Sequence, residues 1–127
     1  MGFFGFGSKR SEEKSSVNWF RLNTGEDLDQ LIQKESFEKP VMLFKHSTRC
    51  SISSMALSRL ENYWDIDEEA LQPVYLDLIA NRDISNKIAA DLRVTHQSPQ
   101  ILIVKNGKCI YQASHNQIDV EDIKQNL

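Results

Sequence analysis

Five segments of the chain are rich in apolar, aromatic and β-branched residues, and each is short enough to be a single strand. Residues 41–44 are apolar at every position, which is typical of a strand that is covered on both faces. The other segments are residues 17–22, 73–78, 100–105 and 108–113. Because Asn106-Gly107 between the last two is a strong hairpin-turn signal, these two strands are predicted to pair antiparallel.

Four helices are predicted between and after the strands, from apolar residues spaced three and four positions apart. The first begins at the N-cap signal Asn23-Thr24, the third near Asn81 or Asp83, and the last covers residues 119–127. The positions that the first and third helices are expected to bury are Leu28, Leu31, Ile32, Ile84, Ile88 and Leu92.

The second helix follows residues 41–44 and belongs to the segment FKHSTRCSISSMALSRL. Ser47 or Thr48 is expected to cap it, with Cys50 in its first turn. Its predicted buried stripe consists of Ile52, Met55, Ala56, Leu60 and Tyr63.

The resulting order is β-α-β-α-β-α-β-β-α. Alternating strands and helices give a parallel sheet with helices on both faces, and the terminal hairpin adds antiparallel strands. We therefore expect an α/β protein with a thioredoxin-like fold, in which a central mixed β-sheet is flanked by helices. The cysteine at the start of the helix after an inner strand and the proline before the hairpin belong to the same pattern.

The composition fits one globular domain, expected over residues 17–127. Hydrophobic residues make up 40% of the chain and charged residues 26%, and the net charge is −3. This charge does not favour nucleic acid or a membrane surface as a partner. No apolar run approaches the roughly 20 residues that span a bilayer, so no membrane segment is expected.

Residues 1–16 are interpreted as a flexible N-terminal tail, because a short aromatic opening is followed by a charged, Ser-rich stretch. Docking of its phenylalanines on a partner or on the domain is the alternative. No secretory leader is recognised, so the expected location is cytoplasmic and both cysteines are expected to be reduced. The protein is expected to be a monomer.

Cys50 is the candidate nucleophile. Unpaired backbone N–H groups and the dipole at a helix start stabilise a thiolate over a thiol, and Arg49 acts in the same direction. The alternative is that Cys50 is a small buried apolar residue, the commoner fate of a free cysteine. The polar residues that flank it favour the exposed helix start.

Ser53 stands three residues after Cys50, where a dithiol enzyme would carry its second cysteine. Because serine forms no disulfide, a small thiol, a partner protein or Cys109 would have to resolve a Cys50 mixed disulfide. Ser53 either donates a hydrogen bond to the Cys50 sulfur or is a plain exposed helical serine. Cys109 lies near the hairpin turn, some 13–20 Å from the edge that holds Cys50, so we expect it to be structural.

Polar candidates for substrate binding are expected at the same edge of the sheet. His46, His96 and His115 each follow or precede a strand end that should meet there. Pro99, preceded by Ser98, is a candidate cis-proline that would leave the Ser98 backbone free to pair with an extended substrate. No cysteine or histidine spacing suggests a metal site.

The motifs FKHSTRCSIS, VTHQSPQILIVKNGK and ASHNQI resemble the YtxJ-like bacilliredoxin family, thioredoxin-fold proteins with a single active cysteine. The resemblance covers residues 18–127. It implies that Cys50 attacks S-bacillithiolated proteins and takes the bacillithiol as a mixed disulfide. It also implies that Ser98-Pro99 is the cis-proline segment. The family motif usually has proline after the cysteine, whereas this chain has Ser51, which would alter the helix start more than the reaction type.

The leading hypothesis is therefore a monothiol thiol–disulfide oxidoreductase, with Cys50 and Ser53 in the catalytic motif. The expected partners are S-thiolated proteins, with bacillithiol or a similar thiol as co-substrate and no bound cofactor. Two alternatives stay open: a non-catalytic interaction or redox-sensing module, and an iron–sulfur carrier of the C-G-F-S type, although residues 50–53 lack that glycine and phenylalanine.

Overall fold

The computed structural model describes residues 16–127, and the helices and strands follow the predicted order. The strands are β1 (Phe20–Arg21), β2 (Val41–His46), β3 (Gln72–Asp77), β4 (Gln100–Lys105) and β5 (Lys108–Ser114). The helices are α1 (Gly25–Gln33), α2 (Ser51–Tyr63), α3 (Arg82–Leu92) and α4 (Val120–Gln125). The short 3₁₀ helices Glu35–Phe37 and His115–Gln117 were not predicted.

The strands form one mixed sheet in the order β1-β3-β2-β4-β5. The first three strands of this order run parallel, whereas β4 is antiparallel to β2 and β5 is antiparallel to β4. Every residue of the central strand β2 is buried, which confirms the prediction for residues 41–44, whereas the burial of Lys45 and His46 was not predicted. The predicted fold class, a mixed sheet flanked by helices, is confirmed.

The core has two halves, one on each face of the sheet. Helices α1 and α3 cover one face, and helices α2 and α4 cover the other. Successive strand side chains point to opposite faces, so Leu43 and Lys45 of β2 are directed to the α1/α3 face. Phe44 and His46 are directed to the α2/α4 face. The expected inward residues of α1 and α3 are buried, except Leu92, which is only partly buried.

The hairpin turn has the predicted geometry. Asn106 and Gly107 both have positive φ angles, 53° and 80°, as the two-residue turn requires. The 3₁₀ helix beside the turn holds it, because the Gly107 N–H donates to Ser36 Oγ at 2.9 Å. A side chain at Gly107 would meet the ring of Phe37 at 3.3 Å.

The first strand is shorter than predicted. Only Phe20 and Arg21 pair, with Val74 and Tyr75 of β3. Trp19 leaves the strand because its indole stacks on Phe44, with ring centroids 5.6 Å apart. Before Phe20, packing of the Trp19 indole on the α2/α4 face of the sheet thus takes the place of strand pairing.

The predicted buried stripe of α2 is wrong at three of its five residues. Ala56 and Leu60 are fully buried, but Ile52, Met55 and Tyr63 are 47%, 60% and 72% exposed. The third buried position of the helix is instead the polar residue Ser53. The pattern misled because Ser53 shares the inner face with Ala56 and Leu60, whereas Ile52, Met55 and Tyr63 lie on an adjoining face of the helix.

The predicted tail, residues 1–16, lies outside the described residues except for Ser16. The Ser16 hydroxyl donates to the backbone carbonyl of Glu61 on α2 at 2.6 Å. Within residues 16–127, no helix combines the length and the apolar character that crossing a membrane requires.

Candidate active site

Cys50 is the N-cap residue of α2, four residues past the end of β2. Its backbone is extended, and its carbonyl accepts the N–H of Ser54 at 3.0 Å. Its own N–H donates to the Ser47 carbonyl at 3.2 Å. The prediction that Ser47 or Thr48 caps the helix was wrong, because this backbone turn brings Cys50 itself to the cap position, one residue before the first turn.

The first turn of α2 leaves its backbone donors available. No side chain caps the helix, and its first turn has no acidic residue. The N–H groups at a helix start lack intrahelical partners, and together with the dipole they stabilise a sulfur anion. Cys50 is partly exposed, while Arg49 and Ser51 on either side are exposed. The site is therefore open to a substrate from the side of the turn.

Ser53 is fully buried, so the interpretation of an exposed helical serine was wrong. Its Oγ lies 2.7 Å from Nδ1 of His46 and accepts the N–H of Ser47 at 2.9 Å. Within the described residues, the Ser53 hydroxyl makes no hydrogen bond to the Cys50 sulfur. The side chain instead connects the end of β2 to the helix that carries the cysteine.

The imidazole of His46 belongs to a buried aromatic cluster. It stacks on Phe44 with ring centroids 5.6 Å apart and lies 5.5 Å from the ring of Tyr75. Burial lowers the pKa of His46, although the carboxylates of Asp77 and Glu61 act in the opposite direction. His46 is only 4% exposed, which favours a supporting role over direct contact with a substrate.

The Ser98–Pro99 peptide bond is cis, as predicted. Gln100 pairs with Lys45, the next-to-last residue of β2, so Pro99 lies beside the strand end that leads to Cys50. The Pro99 carbonyl accepts the N–H of His115 at 3.1 Å. The Ser98 Oγ is buried and has no hydrogen-bond partner among the described residues.

Arg59 connects α2 to the loop after β5. Its guanidinium donates to the His115 carbonyl at 2.8 Å and to the Ile118 carbonyl at 3.2 Å. Because His115 in turn binds Pro99 through its N–H, one short chain of hydrogen bonds runs from α2 to the cis-proline. Sequence reasoning missed this residue, since an arginine in a helix gives no sign of contacts with a distant loop.

Lys45 is a second functional candidate that sequence reasoning missed. Its side chain is fully buried on the α1/α3 face, and its Nζ lies 3.2 Å from Nδ1 of His96. Burial lowers the pKa of Lys45 to about 8. The pKa of His96 is also lowered, by burial and by the positive charges of Lys45 and Arg82, so a neutral imidazole accepts the hydrogen bond from the ammonium.

The three histidines follow or precede strand ends as predicted, but the contacts of their side chains do not converge. His46 binds Ser53 on the α2 face, whereas His96 binds Lys45 on the opposite face. His115 is exposed and lines an open groove of about 590 Å³. The other residues of this groove are neutral and polar: Thr95, Gln97, Gln112, Ser114, Asn116 and Gln117.

Cys109 is free, as is Cys50, and both are partly exposed. In the sheet register Cys109 is opposite Val104, which pairs with Val41 at the far end of β2 from Cys50. Burial raises the pKa of Cys109, and its thiol donates to the Tyr111 carbonyl at 3.4 Å. Within residues 16–127, no group of three or more histidine, cysteine or acidic side chains is placed to hold a metal ion.

Solved structures resemble this one over most of their length. A candidate oxidoreductase with a thioredoxin fold is 29% identical, with a TM-score of 0.71 over 84% of this chain and 90% of its own. A Malassezia sympodialis thioredoxin is 14% identical, with a TM-score of 0.67 over 92% and 94% of the two chains. A Fasciola hepatica thioredoxin is 20% identical, with a TM-score of 0.62 over 83% and 92%.

The sheet order, the cysteine at the start of α2 and the neighbouring cis-proline place the protein among the thioredoxin-fold oxidoreductases. In residues 50–53, serine stands at the fourth position, where a dithiol oxidoreductase has its second cysteine. This motif is typical of the monothiol members of the class. A family model described as monothiol bacilliredoxin BrxC matches residues 20–123. The chain belongs to the monothiol bacilliredoxin family.

Proposed function

We propose that this protein removes bacillithiol, or another low-molecular-weight thiol, from protein mixed disulfides through Cys50. The observation that carries the proposal is the position of Cys50: it caps α2 just after the end of β2 beside which the cis-proline lies, and serine stands where a second thiol would be. Cys109 lies toward the opposite end of the sheet, so it is not expected to resolve a Cys50 disulfide.

The proposed reaction is a thiol–disulfide exchange in two steps. The Cys50 thiolate attacks the sulfur of the small thiol in the mixed disulfide, and the bond between that sulfur and the substrate cysteine breaks. The substrate cysteine leaves as a thiolate and takes a proton from water. A second small thiol or a reductase then attacks the Cys50 disulfide, which restores the Cys50 thiolate and carries away the first thiol as a disulfide.

The remaining site residues are assigned to substrate binding. The backbone of Ser98, next to the cis-proline, is proposed to align the substrate against Cys50. Arg49 and His115 are proposed to contact the small thiol or the substrate surface, since both are exposed. The proposed setting is a cytoplasmic monomer that acts on S-thiolated proteins without a bound cofactor or metal.

The test is steady-state release of a small thiol from a bacillithiolated model protein, with free bacillithiol as the regenerating thiol. Turnover is expected for the wild type and for Cys109→Ser, and none for Cys50→Ser. A parallel assay with a glutathionylated substrate identifies the preferred thiol. Equal activity of wild type and Cys50→Ser would disprove the proposal.

A further inference from the structure

Ser53 occupies the fourth position of the cysteine motif, but its hydroxyl is already engaged elsewhere. It contacts His46 Nδ1 at 2.7 Å and the Ser47 N–H at 2.9 Å, in a site with no exposure to solvent. A hydroxyl has one hydrogen to donate and two lone pairs. When that hydrogen is given to Nδ1 of the neutral imidazole, no hydrogen is left for the Cys50 sulfur.

The two hydrogen bonds of the Ser53 hydroxyl, to His46 and to Ser47, form a bridge between three parts of the site. His46 ends β2, Ser47 begins the turn, and Ser53 lies one helical turn past Cys50. A second bond, from the Cys50 N–H to the Ser47 carbonyl at 3.2 Å, closes the turn from the other side. The residues between His46 and Ser53, including Cys50, are therefore held at both ends.

The imidazole of His46 is held in place by aromatic packing, so it can serve as the fixed end of the bridge. Its ring lies against Phe44 and Tyr75, and Phe44 also stacks with Trp19. Movement of Ser53 away from Nδ1 would break the contact that the buried imidazole makes with the hydroxyl, and proteins disfavour the loss of a hydrogen bond in a buried site.

We propose that His46 and Ser53 are positioning residues, which together fix the turn so that Cys50 stays at the N-cap position of α2. On this account the serine of the motif holds His46 and Ser47, and its main role is not to replace a resolving thiol. The inference rests on the proposed function only for its effect on dethiolation, because the geometry of the turn can be measured without any disulfide substrate.

The proposal also accounts for serine rather than cysteine at position 53. A thiol is a weak donor and a weak acceptor, and sulfur needs longer contacts than the 2.7 Å found here. Ser53→Cys would place a thiol in a fully buried site and weaken the bridge at the same time. It is therefore expected to slow the reaction of Cys50 rather than to produce an efficient dithiol enzyme.

The test compares the pH profile of Cys50 alkylation by iodoacetamide across variants in a Cys109→Ser background. Ser53→Ala removes the hydroxyl, and His46→Phe keeps the stacked ring but removes Nδ1. Each is expected to slow alkylation near neutral pH about tenfold, the factor that corresponds to the loss of one buried hydrogen bond, and to move the profile to higher pH. The double variant is expected to be no slower than either single variant, because both remove the same bridge.

His46→Asn provides the rescue, since its side-chain amide places a polar atom close to the position of Nδ1. It is expected to restore most of the alkylation rate, whereas His46→Gln, which reaches toward the Nε2 position, is not. Nitrogen-15 spectra of His46 supply a second readout, in which Ser53→Ala alters the Nδ1 resonance while the protein stays folded.

Unchanged alkylation in Ser53→Ala and His46→Phe, additive losses in the double variant, or no difference between His46→Asn and His46→Gln would each overturn the proposal. Because iodoacetamide replaces the disulfide substrate, these results are separate from the proposed function. A wild type that fails to dethiolate but shows the expected coupling would refute only the function.

Discussion

At the scale of single residues, the site depends on two neighbours in β2 that point to opposite faces of the sheet. His46 binds Ser53 at the start of α2, and Lys45 binds His96 in the loop before the cis-proline. His46 thus connects β2 to the helix that Cys50 caps, and Lys45 connects the same strand to the loop before Pro99. The end of a buried strand thus supports both sides of the site.

The buried ammonium of Lys45 makes stability depend on pH. Its pKa is lowered from 10.5 to about 8, so between these values the unfolded chain carries a proton that the folded protein has lost. Lys45 therefore contributes a rise in stability with pH across this window, of at most about 3 kcal/mol. Lys45→Met is expected to remove that rise in urea unfolding measured from about pH 8 to about pH 9.5.

The control for this prediction is Lys105→Met, which replaces an exposed lysine at the end of β4. It is expected to leave the slope of stability against pH as in the wild type. A Lys45→Met protein whose stability still rises between these pH values would show that another group is responsible.

From the sequence, Cys50 was predicted as the nucleophile and Pro99 as a cis-proline. The side-chain contacts of nearby residues such as Lys45 and Ser53 were not predicted. Helix-start chemistry and the position before a hairpin are local features, so one chain segment was enough to predict each. Lys45 carried a signal that was overlooked, a lysine at the end of a run expected to be covered on both faces. The partner of Ser53 could not be predicted, because it depends on how far α2 is rotated about its axis.

At the scale of elements, the site is assembled by contacts between α2 and the end of the sheet. Arg59 of α2 binds the carbonyls of His115 and Ile118, and the N–H of His115 binds Pro99. This chain of bonds connects the helix that carries Cys50 to the cis-proline, the proposed substrate-aligning residue.

Arg59→Met removes these bonds but keeps most of the aliphatic length of the side chain. We expect it to raise KM for a thiolated protein about threefold to tenfold, in line with the loss of partly exposed charge-assisted hydrogen bonds. Cys50 alkylation should stay at the wild-type rate, because the turn before α2 is untouched. Steady-state kinetics on a bacillithiolated protein, beside iodoacetamide labelling, separate the two quantities.

Asn62→Ala, an exposed change on the same helix, is the matched control and should leave both quantities unchanged. If Arg59→Met slowed alkylation as much as dethiolation, the arginine would act on the cysteine turn rather than on the cis-proline loop.

The order of the strands and helices was predictable because each has a characteristic periodicity of apolar residues. The turn signal Asn106-Gly107 identified the hairpin. The buried face of α2 could not be predicted, because Ile52 and Met55 are apolar but exposed, whereas Ser53 is polar but buried. Apolar periodicity identifies the buried face of a helix only where that face consists of apolar residues. Near Cys50, the buried face of α2 carries the polar residue Ser53.

At the scale of the whole molecule, the fold keeps its two cysteines apart. Cys50 caps a helix at one end of the sheet, and Cys109 lies in the hairpin toward the other end. Burial raises the pKa of Cys109, so its thiol is a poor nucleophile near neutral pH. The arrangement fits the proposed function, in which Cys50 is the reacting thiol and an external thiol completes the cycle.

The most direct test of the central claim, that Cys50 alone accepts the small thiol, is a single-turnover measurement by intact mass. Reduced protein is mixed with a bacillithiolated model protein, and both masses are followed before any regenerating thiol is added. The account predicts that one bacillithiol appears on this protein, maps to Cys50, and matches the amount lost from the substrate. An adduct on Cys109, or dethiolation of the substrate without an adduct on Cys50, would contradict it.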